Sequence, residues 1–254
     1  MRRAPSAISC CRPKGRAFLP ATASARPERR VYGLWIPLAL SLKVAAWATA
    51  IDVVLGVAVA WGLSRWRSPA RELVDSILTL PLVLPPTVLG YYLLVLFGRR
   101  GVLGEWLDRI GIQLVFTWQG AVIASALVAF PLVQKAARTA FEAVDPQMES
   151  AARVLGLREM AVFFRVSLPL ASRGIVAGAL LAFARAMGEF GATLMIAGNL
   201  PGRTQTLSVA IYAAVQAGDD AGAGVMVAVT SVTCVAALLL AGWLAPKHAP
   251  RASA

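Results

Sequence analysis

The run LALSLKVAAWATAIDVVLGVAVAWGL, Leu38 to Leu63, holds two charged residues, Lys43 and Asp52, and ends at the basic group Ser64-Arg65-Trp66-Arg67. A helix rises about 1.5 Å per residue and needs about 20 residues to cross about 30 Å of hydrocarbon. The run therefore reads as one membrane span. Residues 31–64 are too few for a helical hairpin with two full crossings, which leaves Val31–Pro37 at the membrane interface.

Four further apolar stretches follow. The second, Ser76 to Phe97, contains Pro81, Pro85 and Pro86. Proline breaks the backbone ladder, and in a membrane the freed carbonyls need partners in neighbouring helices or a water-lined cavity. It is either a bent helix packed inside a bundle or one that lines a pathway. A polar stretch, Gly98 to Gln113, leads to a short third run at Gln119–Val133, extendable by Phe116–Trp118. The fourth, Gly174–Ala197, is rich in small residues, as membrane helix interfaces often are. Gly198–Asp220 connects it to the fifth, Ala223–Leu244. The expectation is an all-α polytopic transmembrane bundle of about five spans over residues 31–245, with no usable internal repeat.

Composition agrees. The chain is 58% hydrophobic and 15% charged, against roughly 45–50% and about 25% for a soluble domain. Its net charge of +12 lies in the N-terminal tail and between apolar runs, with no aromatic-interleaved basic face for nucleic acid. Cys10 and Cys11 are adjacent in a polar tail and Cys234 sits in an apolar run, so neither a disulfide framework nor a metal pattern is present. His248, the single histidine, lies in the tail. No catalytic constellation, metal site or cofactor motif is found, nor a phosphate loop ending in Gly-Lys-Ser/Thr.

Arginine and lysine set the orientation. One side holds Arg65, Arg67, Arg71, Lys135, Arg138, Arg153, Arg158, Arg165, Arg173, Lys247 and Arg251; the opposite inter-span loops hold Arg99, Arg100, Arg109 and Arg203. The first side, with the 134–173 loop and a tail at 246–254, is expected to be cytoplasmic. Five spans then put the N-terminus outside, although it carries Arg2, Arg3, Arg12, Lys14, Arg16, Arg26, Arg29 and Arg30. Residues 1–30, Arg-, Pro- and Ala-rich, read as a disordered basic extension, and translation is expected to begin near Val31.

Within the 134–173 loop, Asp145-Pro146 opens a helix: Asp caps free amides and Pro is pre-set for the first turn. Gln147–Leu155 reads as a short helix closed by a left-handed turn at Gly156. A second helical stretch, Leu157–Val166, ends at Leu168-Pro169. The result is a helix–turn–helix shelf on the membrane face.

Ser150-Ala151-Ala152-Arg153-Val154-Leu155-Gly156, followed by Val166-Ser167-Leu168-Pro169, resembles the coupling loop of bacterial ATP-binding-cassette importer permeases. Their pattern is Glu-Ala-Ala, three residues, Gly, nine residues, Ile, any residue, Leu-Pro. Ser150 stands where the family has Glu, Val166 replaces Ile, and Glu149 is acidic but one position early. The resemblance implies that this helix docks in a groove on a separate ATPase subunit, with Glu149, Ser150, Ala151, Ala152, Gly156, Leu168 and Pro169 as coupling residues. Small side chains at Ala151 and Ala152 would permit close approach.

Three more stretches are similar to molybdate permeases: Ser41–Ala45, Leu80–Tyr92 and Arg185–Asn199, the last continuing through Pro201-Gly202-Arg203-Thr204-Gln205-Thr206-Leu207. Sulfate permeases share Gly188-Glu189-Phe190-Gly191; the Pro-Gly-Arg-Thr-Gln-Thr continuation favours molybdate, with tungstate nearly isosteric. The family implies a homodimer in the bacterial cytoplasmic membrane, surrounded by lipid, served by an ATPase subunit and by a periplasmic or lipid-anchored binding protein. Charge within a span is expensive and faces protein or water. Arg185 and Glu189, four apart, read as a neutralising pair or as a contact for the passing dianion. Lys43 either snorkels or attracts anions, and Asp52 calls for a partner. Thr87, Thr193 and Asn199 are hydrogen-bonding candidates for the pathway. The rival readings are a sulfate or thiosulfate importer of the same build, and a secondary anion carrier or channel working alone.

Overall fold

The computed structural model describes residues 27–66, 68–99 and 101–244. Helix α1, Pro27–Arg65, is 39 residues long. It takes in the interfacial stretch expected at 31–37 because Pro37 costs one backbone bond without ending the helix. Residues 27–30, assigned above to the extension, are helical; residues 1–26 and the 246–254 tail lie outside the described residues.

The second apolar stretch is two helices, α2 (Ala70–Val83) and α3 (Pro86–Phe97), bent by 106°. Leu84 and Pro85 each precede a proline and both take extended backbone, with ψ of 141° and 133°. Proline disfavours helical ψ in the residue before it, so two consecutive prolines force the corner. Pro81 lies inside α2 and does not end it. A short helix, α4 (Val102–Arg109), occupies the following connection.

Helix α5, Trp118–Glu142, is capped by Thr117, whose hydroxyl accepts from Gly120 N at 3.2 Å. It runs nine residues beyond the apolar run read as 119–133, carrying Lys135, Arg138 and Glu142 with it. Those charges stay helical because α2 answers them. Asp75 pairs with Arg138 at 2.9 Å and with Lys135 at 3.9 Å, and Arg71 pairs with Glu142. The shelf is therefore shorter than expected. It comprises α6 (Pro146–Val154), α7 (Glu159–Val162) and a π-helical turn at Phe163–Ser167, which feeds directly into α8 (Leu168–Met187). Leu168-Pro169 does not end a helix, as the sequence suggested. Pro169 lacks an N–H and crowds the carbonyl four residues back, and the wider turn, with Leu168 N bonding Phe163 O, absorbs this.

The fourth span is broken. After α8 the chain unwinds at Gly188–Phe190 and resumes as α9 (Gly191–Ala197). A polar turn leads to α10 (Leu207–Gln216) and then α11 (Asp220–Leu244). Among the described residues, four helices are long and apolar enough to cross a membrane, and α2 with α3 makes five. The all-α bundle of about five spans is borne out.

Helix α5 is the central post, buried against α1 on one side and α8 on the other. Its contact with α8 is set by small residues. A Cβ at Gly178 would lie 2.5 Å from Ala136 Cβ, and one at Gly174 would lie 2.6 Å from Ala140 Cβ. Without hydrophobic drive between lipid-exposed helices, such close approach is what holds them together. Gly178→Val is thus expected to force α5 and α8 apart at a cost of about 1–3 kcal/mol. A clearly lowered unfolding temperature in detergent checks this; an unchanged one would mean the helices do not meet here.

Asp52 is buried in α1, and its Oδ2 has no hydrogen-bond partner among the described residues; nothing in the structure explains it. Lys43 lies with Nζ 3.7 Å from the Trp118 ring centroid, a cation–π contact.

Candidate functional site

Two places carry the residues singled out above. The first is the shelf. Asp145 Oδ1 accepts from Gln147 N at 2.9 Å, and Pro146 occupies the first helical position of α6. Gly156, at φ +82°, closes it: Gly156 N donates to Arg153 O at 2.9 Å and Leu157 N to Ala152 O at 3.2 Å. These are the paired bonds of a glycine-terminated helix end.

Glu149 anchors the shelf. Its Oε2 meets Arg65 Nη2 at 3.1 Å and Arg153 Nη2 at 3.2 Å, and its Oε1 accepts from Ser167 Oγ at 2.6 Å. Glu159 completes the set, pairing with Arg65 at 2.7 Å and Arg153 at 2.6 Å. Hydrogen bonding to Glu159 raises the Arg153 guanidinium above its ordinary value, the bond to Glu149 adding to it. Ser150 plays no part in this network; its hydroxyl donates to Pro146 O one turn back. Ala151 is exposed, whereas Ala152 is buried within the chain and cannot form surface for a partner. Behind the ion pairs, Phe163 packs on Trp61 and Phe141 with centroids 4.8 and 6.0 Å apart.

The second place is the break at Gly188–Phe190. Ala136 and Ile196 fix its level. Gly178 faces Ala136, and beyond the break Ile196 reaches Gly120, so the chain unwinds inside the bundle and not beyond its end. Glu189, 2% exposed, accepts from Ala192 N at 3.0 Å and so caps α9. Arg185 Nη1 lies 2.7 Å from Glu189 Oε2, an ion contact off the hydrogen-bonding direction. The Arg185 side chain stays 31% exposed. Thr87 adjoins the start of α9: a Cβ at Gly191 would sit 3.3 Å from Thr87 Cγ2. Helix α3 presses on α9 through Gly90, whose Cβ would lie 2.9 Å from Ala192 Cα. Thr193 is buried, its hydroxyl without a partner among the described residues. The structure thus gathers Thr87, Arg185, Glu189 and Thr193 around the break. Asn199 is exposed beyond the far end of α9 and does not join them.

The pattern of the family described as "Binding-protein-dependent transport system inner membrane component" matches residues 52–250. The chain belongs to that family. The chain is 46% identical to the molybdenum transport system permease protein ModB of Escherichia coli (strain K12) over 213 residues, 83% of this chain and 93% of the relative. It is 41% identical to ModB of Haemophilus influenzae (82% and 92% covered) and 38% identical to the sulfate transport system permease protein CysT of E. coli K12 (76% and 69% covered). Among solved structures, the MetNI methionine ABC transporter in an inward-facing conformation matches with TM-score 0.60 at 17% identity, covering 87% of this chain and all of that one. A bacterial alginate ABC transporter matches with TM-score 0.63 at 16% identity, covering 83% and 76%. The resemblance read from the coupling loop is borne out, and so is the multi-pass inner-membrane placement.

Within this permease family fold, sequence reasoning missed Arg65, Ser167, Trp61 and Glu159. The Glu149–Arg153 spacing of four was a visible signal. Arg65, 84 residues from Glu149, left none.

Proposed function

We propose that the chain is the membrane-spanning permease subunit of an ATP-binding-cassette importer that moves molybdate, or its near isostere tungstate, across the cytoplasmic membrane. It works as a homodimer, with a partner ATPase hydrolysing ATP and a binding protein delivering the ion to the outer face. The shelf carries this reading. It is an ion-paired base that presents Val154 and Leu155, 87% and 82% exposed, and on which Met148 and Met160 are also exposed. Large apolar side chains left exposed on an ion-paired element support a protein contact there.

ATP-driven closure of the ATPases would draw the two shelves together and turn the pathway outward, as a rigid-body motion; ADP release would let it relax inward. The break would supply the pathway chemistry: the half-open Arg185 guanidinium can turn from Glu189 toward a tetrahedral dianion, whose oxygens the exposed Thr87 can meet. Molybdate is favoured over sulfate because ModB relatives reach 46% identity and CysT 38%.

The test is uptake by vesicles holding the permease, its ATPase and its binding protein. Uptake should require ATP and all three proteins. Molybdate and tungstate should compete at concentrations where sulfate does not. Competition by sulfate alone would transfer the assignment to sulfate, and uptake by the chain without ATPase would make it a secondary carrier.

A further inference from the structure

Helix α1 is held at two points, Arg65 at its last residue and Ser41 fourteen residues from its start, by elements far from it in sequence. At the shelf end, Arg65 bridges Glu149 of α6 at 3.1 Å and Glu159 of α7 at 2.7 Å, its guanidinium 4.8 Å above the Trp61 ring. Trp61 in turn packs on Phe163 of the π-helical turn. One turn and a half of α1 thus grips the front, the back and the exit of the shelf. Further back along the helix, the buried Ser41 hydroxyl accepts from Leu207 N at 2.6 Å. Leu207 opens α10, whose own Thr206 makes no side-chain cap, so Ser41 of another helix supplies the acceptor that this terminus lacks. The next residue, Ser208, donates to Met187 O at 3.2 Å, the carbonyl just before the broken stretch of the fourth span. Between Ser41 and Arg65 the helix is unbroken and contains no proline. At 1.5 Å per residue those 24 steps make a strut of about 36 Å.

The two helices that join the shelf covalently are less suited to carry its motion. Helix α8 unwinds at Gly188, and α5 is separated from α6 by Ala143–Asp145. We propose that α1 is a push-rod: Arg65 and Ser41 are positioning residues that hold the shelf and the α8–α10 junction at fixed separation, so that shelf movement reaches the broken span. This rests on the shelf being the ATPase dock proposed above.

Spin labels at Gln147 on the shelf and Arg203 in the turn before α10, both exposed, read that separation in the assembled transporter. Their distance distribution should be the same in the ADP state and in the ATP-bound state. In Arg65→Ala it should differ between states or broaden. Ions imported per ATP hydrolysed should fall about fivefold or more in Arg65→Ala and in Ser41→Ala, the lower end of ordinary site-to-site coupling. The double variant should be no worse than either single, since both cut one link. Should Ser41→Ala fail to fold, the label distances in the parent protein still decide: a separation that changes between nucleotide states overturns the rod. Additive losses, or an unchanged import ratio in both variants while uptake still requires the ATPase, also overturn it. Uptake that needs no ATPase sinks the dock instead, a distinguishable outcome.

Discussion

Gly156→Val should reduce ATP-driven uptake at least fivefold while leaving the protein inserted in the membrane and able to stimulate its ATPase. The residue sits at φ +82°, where an ordinary L side chain costs about 1–2 kcal/mol and a β-branched one more. A Cβ there would meet nothing within 4 Å, so the penalty is torsional and has one outlet, the opening of the turn. The bonds from Gly156 N and Leu157 N to α6 would be lost with it, and α6 would swing away from the carboxylate pair on Arg65. A strain of one or two kcal/mol shifts a conformational population by a factor of about 5–30. Gly156→Asn, which tolerates the left-handed region, should keep most of the uptake. Normal uptake by the valine variant in vesicles would remove the shelf from the mechanism.

Glu189→Gln is the second large effect. Glutamine still offers an oxygen to Ala192 N but leaves Arg185 uncompensated inside the bundle. Breaking a fully buried pair costs about 3–5 kcal/mol; here Arg185 remains 31% exposed, and about 2 kcal/mol is expected. Arg185→Gln combined with Glu189→Gln should recover much of that loss, which a thermal unfolding series in detergent would show. If Glu189→Gln unfolds like the parent yet imports poorly, the pair serves the ion and not the bundle.

The five apolar runs and the glycine-closed helix of the shelf were legible because hydrocarbon thickness and backbone chirality act locally. The corner at Leu84–Pro85 was visible as a proline pair, but its 106° was not, since the angle depends on what α2 and α3 pack against. The unwinding at Gly188–Phe190 escaped because the stretch stays apolar around one glutamate, and hydropathy does not distinguish a capping carboxylate from a paired one. The length of α5 was underestimated at Lys135 and Arg138, where charge suggested a loop and Asp75 on another helix kept them helical. The motif's register pointed to Ser150, while the inward-facing acid is Glu149, one position earlier on the helix. Contacts such as Ser41 with Leu207, 166 residues apart, lie beyond any local pattern.

The seam between α5 and α8 also constrains the order in which related proteins can change. Gly178 and Gly174 sit against Ala136 and Ala140 with no room for one added carbon. A descendant that gains a methyl at 178 would pass through a less stable intermediate unless Ala136 had been trimmed to glycine beforehand. Paired exchanges at 136/178 and at 140/174 should therefore outnumber single ones, and a library randomised at these four positions and selected for stable membrane insertion would display that correlation.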